Sequence, residues 1–429
     1  VPGSAIPAGL NGQARLGAAA LEAAGFDRIA LKSWDAIRLE DGLTLGAGRA
    51  LPLQEVTLDA PRIEMSGGAG GNAALQAETV RLGNYDIERV SVANTPVAGS
   101  GTLKADARLL ELAGNLTLSG MARAELSGAE EVRLAGVSSG DSPRPAGTLA
   151  SARDLLFSGA VVAPTTYSQF TIQAPGQTVT FGRHALPPSQ PLSALGSLAV
   201  NAANIVQGGN IWAPFGQLAF SATDTLVFQD GSLTSIAAAP GSLIPFGTTV
   251  NGRSWTYNPD TFIIPLLALP GKSIRTQAAS IAMQAGATFN LAGGGDLQAY
   301  EFSVGPGGSH DILGDPDTYA ILPGYASAFA PGDGQENTGF GRAAGDAVYL
   351  SGIPGLPAGT YTLLPAHYAL LPGAYAVRLD TSTPNLLPGM AFSRQDGIQV
   401  VPGYVTDSRA AAGGPRDALW SGFEVLTRD

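Results

Sequence analysis

The chain of 429 residues carries 57 Gly and 30 Pro, no Cys, and only 14% charged side chains. Gly and Pro make up roughly a fifth of it against roughly 12% in average usage, which argues against a mainly helical protein, and an apolar share of 45% argues against a disordered one. With 24 basic and 35 acidic residues the net charge is −11, too few cations to neutralise a run of phosphates, so nucleic acid is not an expected partner and an anionic membrane surface is unattractive.

Only Lys32, Lys104 and Lys272 are lysines; the other cations are arginines. Without Cys there is no disulfide, thiolate metal site or Cys nucleophile, a state compatible with a reducing cytosol or with a secreted protein that stays unfolded until export. No apolar run approaches about 18 residues, and the opening Val1-Pro2-Gly3 has neither a basic nor an apolar leader region, so the chain reads as an internal piece of something longer.

In chain order, residues 13–25 are Ala-rich, with Leu16, Ala20 and Ala24 at helical spacing and Gly25 as a C-cap. They predict a short helix that covers the end of a stack of strands, so 1–26 is an entry segment. From Ile29 onward an apolar, polar, apolar triplet keeps returning: Ile29 to Leu31, Ile37 to Leu39, Leu43 to Leu45, Leu51 to Leu53, Val56 to Leu58, Ile63 to Met65, Val80 to Leu82, Leu110 to Leu112, Leu116 to Leu118, Ala124 to Leu126 and Val132 to Leu134. Each triplet puts two apolar side chains on one face of a strand, and Gly, Asp, Asn, Ser or Pro between them supply turns. Strands this short gain stability by stacking, coil upon coil of roughly 20 to 30 residues, which predicts a β-solenoid.

Residues 27–304 are assigned to that solenoid, with insertions around 138–150 and 245–265. Within it Leu195 to Val200, Asn204 to Val206, Gln217 to Phe220, Thr225 to Phe228, Ser242 to Ile244, Ser280 to Met283 and Leu297 to Phe302 read as strands, and 207–216 as a corner. The excursion 245–265 reads as a hairpin turning at Asn251-Gly252. From 305 to 429 Pro and Tyr rise, which predicts a separate β-rich tail. There Tyr319, Tyr361 and Tyr368 each open a run of a small residue, two aliphatics and Pro, and Tyr375 comes at the same step. These four rings either present a stacking surface for sugars or wedge the tail against the rod.

The run Gly208 to Gly216 with Leu218-Ala219-Phe220 after it, the stretch Ala24 to Asp27, Leu58 to Pro61, and the tail motif Leu356 to Ala366 with Tyr368 to Gly373 resemble the filamentous haemagglutinin family of large bacterial exoproteins, in a region from the later part of such chains. The resemblance spans about residues 20 to 400. It implies a right-handed parallel β-helix, export through an outer-membrane transporter, and a secreted or cell-surface adhesin. It brings no catalytic residue, cofactor or metal.

Residues that invite other chemistry are few. Asp311, Asp315 and Asp317 beside His310 match neither an EF-hand nor a nonapeptide calcium repeat. His184 and His367 have no triad neighbours in sequence, and a glycan-cleaving site would need grouped carboxylates, for which Asp224, Asp230 and Asp260 with Arg183 and Arg253 are the candidates. The expected protein is therefore an all-β, non-enzymatic adhesin rod with glycans or a cell-surface receptor as partners. A self-associating filament and a polysaccharide-cleaving β-helix are the alternatives.

Overall fold

A computed structural model describes residues 14–49, 52–66, 71–85, 95–139, 142–250, 252–257, 263–303, 305–306, 311, 317–332, 346–407 and 419–427. Strand makes up 59% and helix 3%, and a large parallel sheet curls nearly into a barrel. Among the described residues no helix is long and apolar enough to cross a membrane.

Pairing in this sheet falls into three parallel ladders. The first begins at Arg28–Lys32 and Glu55–Asp59 and continues through 79–83, 109–113, 131–135 and 161–164 to Asn210–Trp212, Leu233–Ser235 and Thr288–Asn290. The second runs from Ile37–Glu40 and Arg62–Ser66 through Asn115–Ser119 and Ser142–Ser151 to 169–174, 197–202, 217–221 and Ser273–Gln277. The third runs from Thr44–Leu45 through 72–77, 102–107, 123–128, 154–159, 178–183 and 204–207 to 225–228 and Ser280–Met283. The chain mostly visits first, second and third in that order and starts again, commonly about 20 to 30 residues later; among the described residues the second ladder has no strand between 79–83 and 102–107, and the first has none between 178–183 and 197–202.

Register explains why the triplets recur. Ile29, Val56, Val80, Leu110, Val132, Val162 and Ile211 lie directly above one another in the first ladder. In the third, Leu103, Ala124, Leu155, Val179, Ile205 and Leu226 form a similar column. All of these are buried, and beside them Phe157 and Phe181 stack with ring centroids 5.1 Å apart. Each Val, Leu, Ile or Phe among them contributes about 1.5–3 kcal/mol by leaving water.

The strands are longer than the triplets suggested. Ala98–Ala113, Met121–Ala135 and Asp154–Pro164 each serve the third ladder and then the first, bending at register shifts near 107–109 and 159–161. Such bulges turn a strand without a loop. Two regions depart from the expected organisation. Asn210–Trp212, inside the run read as a corner, is a strand of the first ladder, and Ser142–Ser151, inside the run read as an insertion, is a strand of the second.

The helix is shorter than predicted, Ala18–Ala23 (α1), and Gly25 lies just beyond it with φ 71°, as its C-cap role requires. Leu21 packs on the core, Glu22 accepts from the Gly46 amide, and Arg49 pairs with Glu22 at 2.8 Å, so α1 closes the first end of the stack. The excursion becomes a four-stranded sheet rather than one hairpin. Leu243–Val250 pairs antiparallel with Ser254–Tyr257, which pairs with Ile264–Leu266. Ser242 to Ile244 and Leu297 to Phe302, read as solenoid strands, belong to this sheet through the parallel pairing of Leu243 with Asp296 and Ile244 with Leu297. Leu51, Asn251, Asp260, His310 and Asp315 lie outside the described residues.

From 317 the tail forms an antiparallel sheet that includes Tyr319–Ile321, Asp346–Leu350, Gly359–Thr362, Tyr375–Pro384, Gln399–Asp407 and Ser421–Thr427. Its core contains Ile321, Val348, Leu350, Val401 and Phe423. Arg28 in the first ladder meets Asp346 of this sheet at 3.1 Å.

Gly46 shows how tight the stacking is. Its φ is 85°, and a Cβ there would lie 1.8 Å from the Gln76 carbonyl oxygen of the next coil, whereas Gly42, at φ 75°, faces open space. Gly42→Ala should therefore cost only the backbone strain of about 1–2 kcal/mol. Gly46→Ala should cost clearly more, read as a larger drop in the urea midpoint.

Candidate functional site

Segment 322–332 leaves the tail sheet and lies across the outside of the coils. Its Phe329 ring sits 5.4 Å under the Arg108 guanidinium and, with Ala328, buries against Leu109. Ser327 Oγ donates to Glu130 Oε2 at 3.1 Å, Arg133 Nη2 donates to the Ala330 carbonyl at 2.8 Å, and the Thr166 amide and Ser193 hydroxyl donate to the Gly332 carbonyl, each at 3.2 Å. The strap thus binds to successive coils by both side chain and backbone.

Beneath the strap runs a column of charge. Register places Arg81, Glu111 and Arg133 directly above one another. Glu111 Oε1 accepts from Arg81 Nε at 3.0 Å and Nη2 at 2.9 Å and from the Tyr85 hydroxyl at 2.9 Å, while Arg133 Nη1 lies 3.6 Å from its other oxygen. Arg133 also holds Glu131 at 3.0 Å. Burial alone would raise the Glu111 carboxyl, but Arg81 and Arg133 outweigh it and hold it below the ordinary carboxylate value. Burial drives the Tyr85 and Tyr325 hydroxyls well above theirs.

Beside this column a cavity of about 370 Å³ opens between the strap and Gly359–Thr362, lined by Arg108, Tyr325, Ser327, Thr360, Tyr361 and Thr362 among others. Thr362 Oγ1 donates to the Ser327 carbonyl at 2.9 Å and ties the two walls together. Arg108 is shared between Glu130, 2.9 Å from its Nε, and Glu78, 3.3 Å from its Nη1. Desolvation pulls its guanidinium down, and these carboxylates more than restore it, so the cation is firmly protonated. An aromatic ring beside hydroxyls and a fixed guanidinium suits a small polar ligand with an apolar face.

The four tyrosines singled out in the sequence do not form one surface. Tyr368 is fully buried in the 3-10 turn Ala366–Leu370 against Ala320 and Ala374, and Tyr319 is buried in the tail core, at the wall of a second cavity of about 490 Å³. Tyr368 offers no ring face to a sugar, and Tyr319 meets only the second cavity. Tyr361 and Tyr375 are half-buried and donate their hydroxyls to the carbonyls of Pro357 and Gly355, clamping one turn between them. Only Tyr361 of the four lines the strap cavity.

The other candidates stay apart. Arg183 donates to the backbone carbonyls of Asp230 and Gly231, each at 3.2 Å, rather than to a carboxylate. The His184 ring accepts from the Leu186 amide at 3.4 Å, and His367 is buried with its ring 4.1 Å from that of Tyr368. No group of three or more His, Cys, Asp and Glu that could hold a metal occurs among the described residues. Unforeseen in the sequence is an aromatic cluster on the tail sheet, where Tyr349 and Tyr404 stack at 4.9 Å with Trp420 edge-on to both.

The Glu111 column makes two predictions. Glu111→Ala would take the shared carboxylate from the buried Arg133 and the part-exposed Arg81, which keep Glu131 and Glu55 as partners, and should destabilise the fold by about 1–3 kcal/mol in urea melts. A carboxyl held below its ordinary value of 4.5 contributes stability that is complete above that value and is lost as pH falls through the depressed one. Glu111→Gln should therefore lower stability at neutral pH and flatten the acid limb of a stability-against-pH curve, and an unchanged limb would contradict the assignment.

Compared with protein-family models, with curated proteins and with solved structures, the chain matches none of them.

Proposed function

We propose that the chain is an elongated segment of a secreted bacterial surface adhesin or fibre of the filamentous haemagglutinin type, built on a right-handed parallel β-helix. The observation that carries this reading is the recurring order in which the chain visits its three parallel ladders, kept through most rounds with one visit to the second and one to the first left out among the described residues. A chain that returns to parallel strands in a recurring order winds into a coil, and such crossovers are right-handed in nearly all cases. Each coil adds about 4.8 Å of length, so the sequence is spent on reach rather than on a deep pocket.

In this reading an outer-membrane transporter exports the full-length protein, which displays the rod at the cell surface. Lateral sites such as the strap cavity bind glycans or a receptor weakly, and many such contacts sum to avidity. The net charge of −11 keeps neighbouring rods apart. A catalytic reading finds little support, since the carboxylates Asp224 and Asp230 are exposed and Arg183 is committed to backbone carbonyls. The tyrosine contribution to binding rests on Tyr361, with Tyr375 beside it as a clamp on the shared turn.

Small-angle scattering of the purified chain, together with a glycan array, tests the proposal. A rod-like distance distribution is expected, with binding to a subset of glycans that Tyr361→Ala weakens about ten-fold. A compact distribution would sink the β-helix reading. Failure of the wild-type chain to bind any arrayed glycan would remove glycans as its ligands.

A further inference from the structure

The two ends of the parallel sheet are finished differently. At the first end α1 lies over the coil, with Leu21 packed on the core. At the other end the last strands, Ser273–Gln277, Ser280–Met283 and Thr288–Asn290, each pair only with the coil before them among the described residues. Ile281 continues the buried column of Ile205 and Leu226, and Met283 continues that of Phe181, Gln207 and Phe228. Their predecessors are buried, yet Ile281 is 46% and Met283 60% exposed. Leu291, immediately after the last strand, is 61% exposed, and Leu267, shortly before the first, is 99% exposed.

Natural edge strands are kept short or carry charges, Pro or bulges that discourage further pairing; these three are short, but Arg275 is the single charged residue in them. What would cover it must present three strand edges around an apolar interior. That is the geometry of the coil-on-coil interface repeated along the whole sheet, and of this end itself.

We propose that the open end joins the same end of a second copy, related by a two-fold axis across the rod. Head-to-tail addition is disfavoured because α1 lies against Thr44–Leu45 at the opposite end, so the assembly closes at two copies instead of growing into a filament. With the axis perpendicular to the rod, the terminal strands of the two copies run antiparallel, and Ile281 and Met283 become interior. This inference rests on the ladders and the exposed end, and stands or falls independently of any adhesin or glycan reading.

Sedimentation velocity on the full chain from about 1 to about 100 µM tests it. A dimer is expected, with a scattering length roughly twice that of the monomer. Ile281→Lys with Met283→Lys should raise the dissociation constant at least about ten-fold while leaving the far-UV spectrum and urea midpoint of the monomer in place, since both side chains are exposed there. A wild-type chain that stays monomeric at the highest concentration would overturn the proposal. So would a dimer no longer than the monomer, a dimer indifferent to the double substitution, or growth beyond two copies.

Discussion

The large sheet depends on one strand lying in parallel register on the next. Register brings Val80 over Leu110 and Leu110 over Val132, and the same alignment repeated through three ladders makes a continuous apolar interior from residues that are sequence neighbours only two at a time. The parallel hydrogen bonds and the buried columns reinforce one another, because a slip of one residue would turn every inward side chain to solvent. The close approach also explains why Gly46 meets the Gln76 carbonyl, since a side chain there would wedge two coils apart.

The same register that stacks aliphatic residues inside stacks charges outside. Arg81, Glu111 and Arg133 are the middle residues of three successive triplets, and alternate in sign along the stack. Arg38 with Glu64, and Lys104 with Glu125, repeat the device elsewhere. Exposed pairs of this kind contribute little. The Glu111 column differs because Tyr85 and the strap remove it from water, which makes each partner depend on the others. That dependence locks the strap to the coils and shapes the cavity that Arg108 and Tyr361 line.

The asymmetry of the ends has the same origin. A stack of parallel strands always has two surfaces at which the register interaction is unfulfilled; here α1 lies against one, and at the other the last three strands stay open while the chain runs on into a separate sheet. The chain then returns as the strap and tail along the side of the stack, so the features with binding potential sit on the flank and at the end rather than in a central groove.

The triplets and their Gly-rich punctuation determined by themselves that the protein is β-rich, that two of every three residues in a triplet face inward, and that α1 precedes the first coil, because these depend on local periodicity and backbone preference. The charge column was not legible: Arg81, Glu111 and Arg133 stand at the centres of triplets, but only the register puts them above one another. Sequence alone left undecided which triplet lies on which, that 142–151 and 210–212 are ladder strands, and that 242–244 and 297–302 leave the stack. It also could not separate Tyr361 at a cavity wall from Tyr319 and Tyr368 in cores, since all three open the same short motif. Those distinctions arise from register across tens of residues and from where the chain returns to cover its own surface, and only the tertiary structure brings such distant residues into contact.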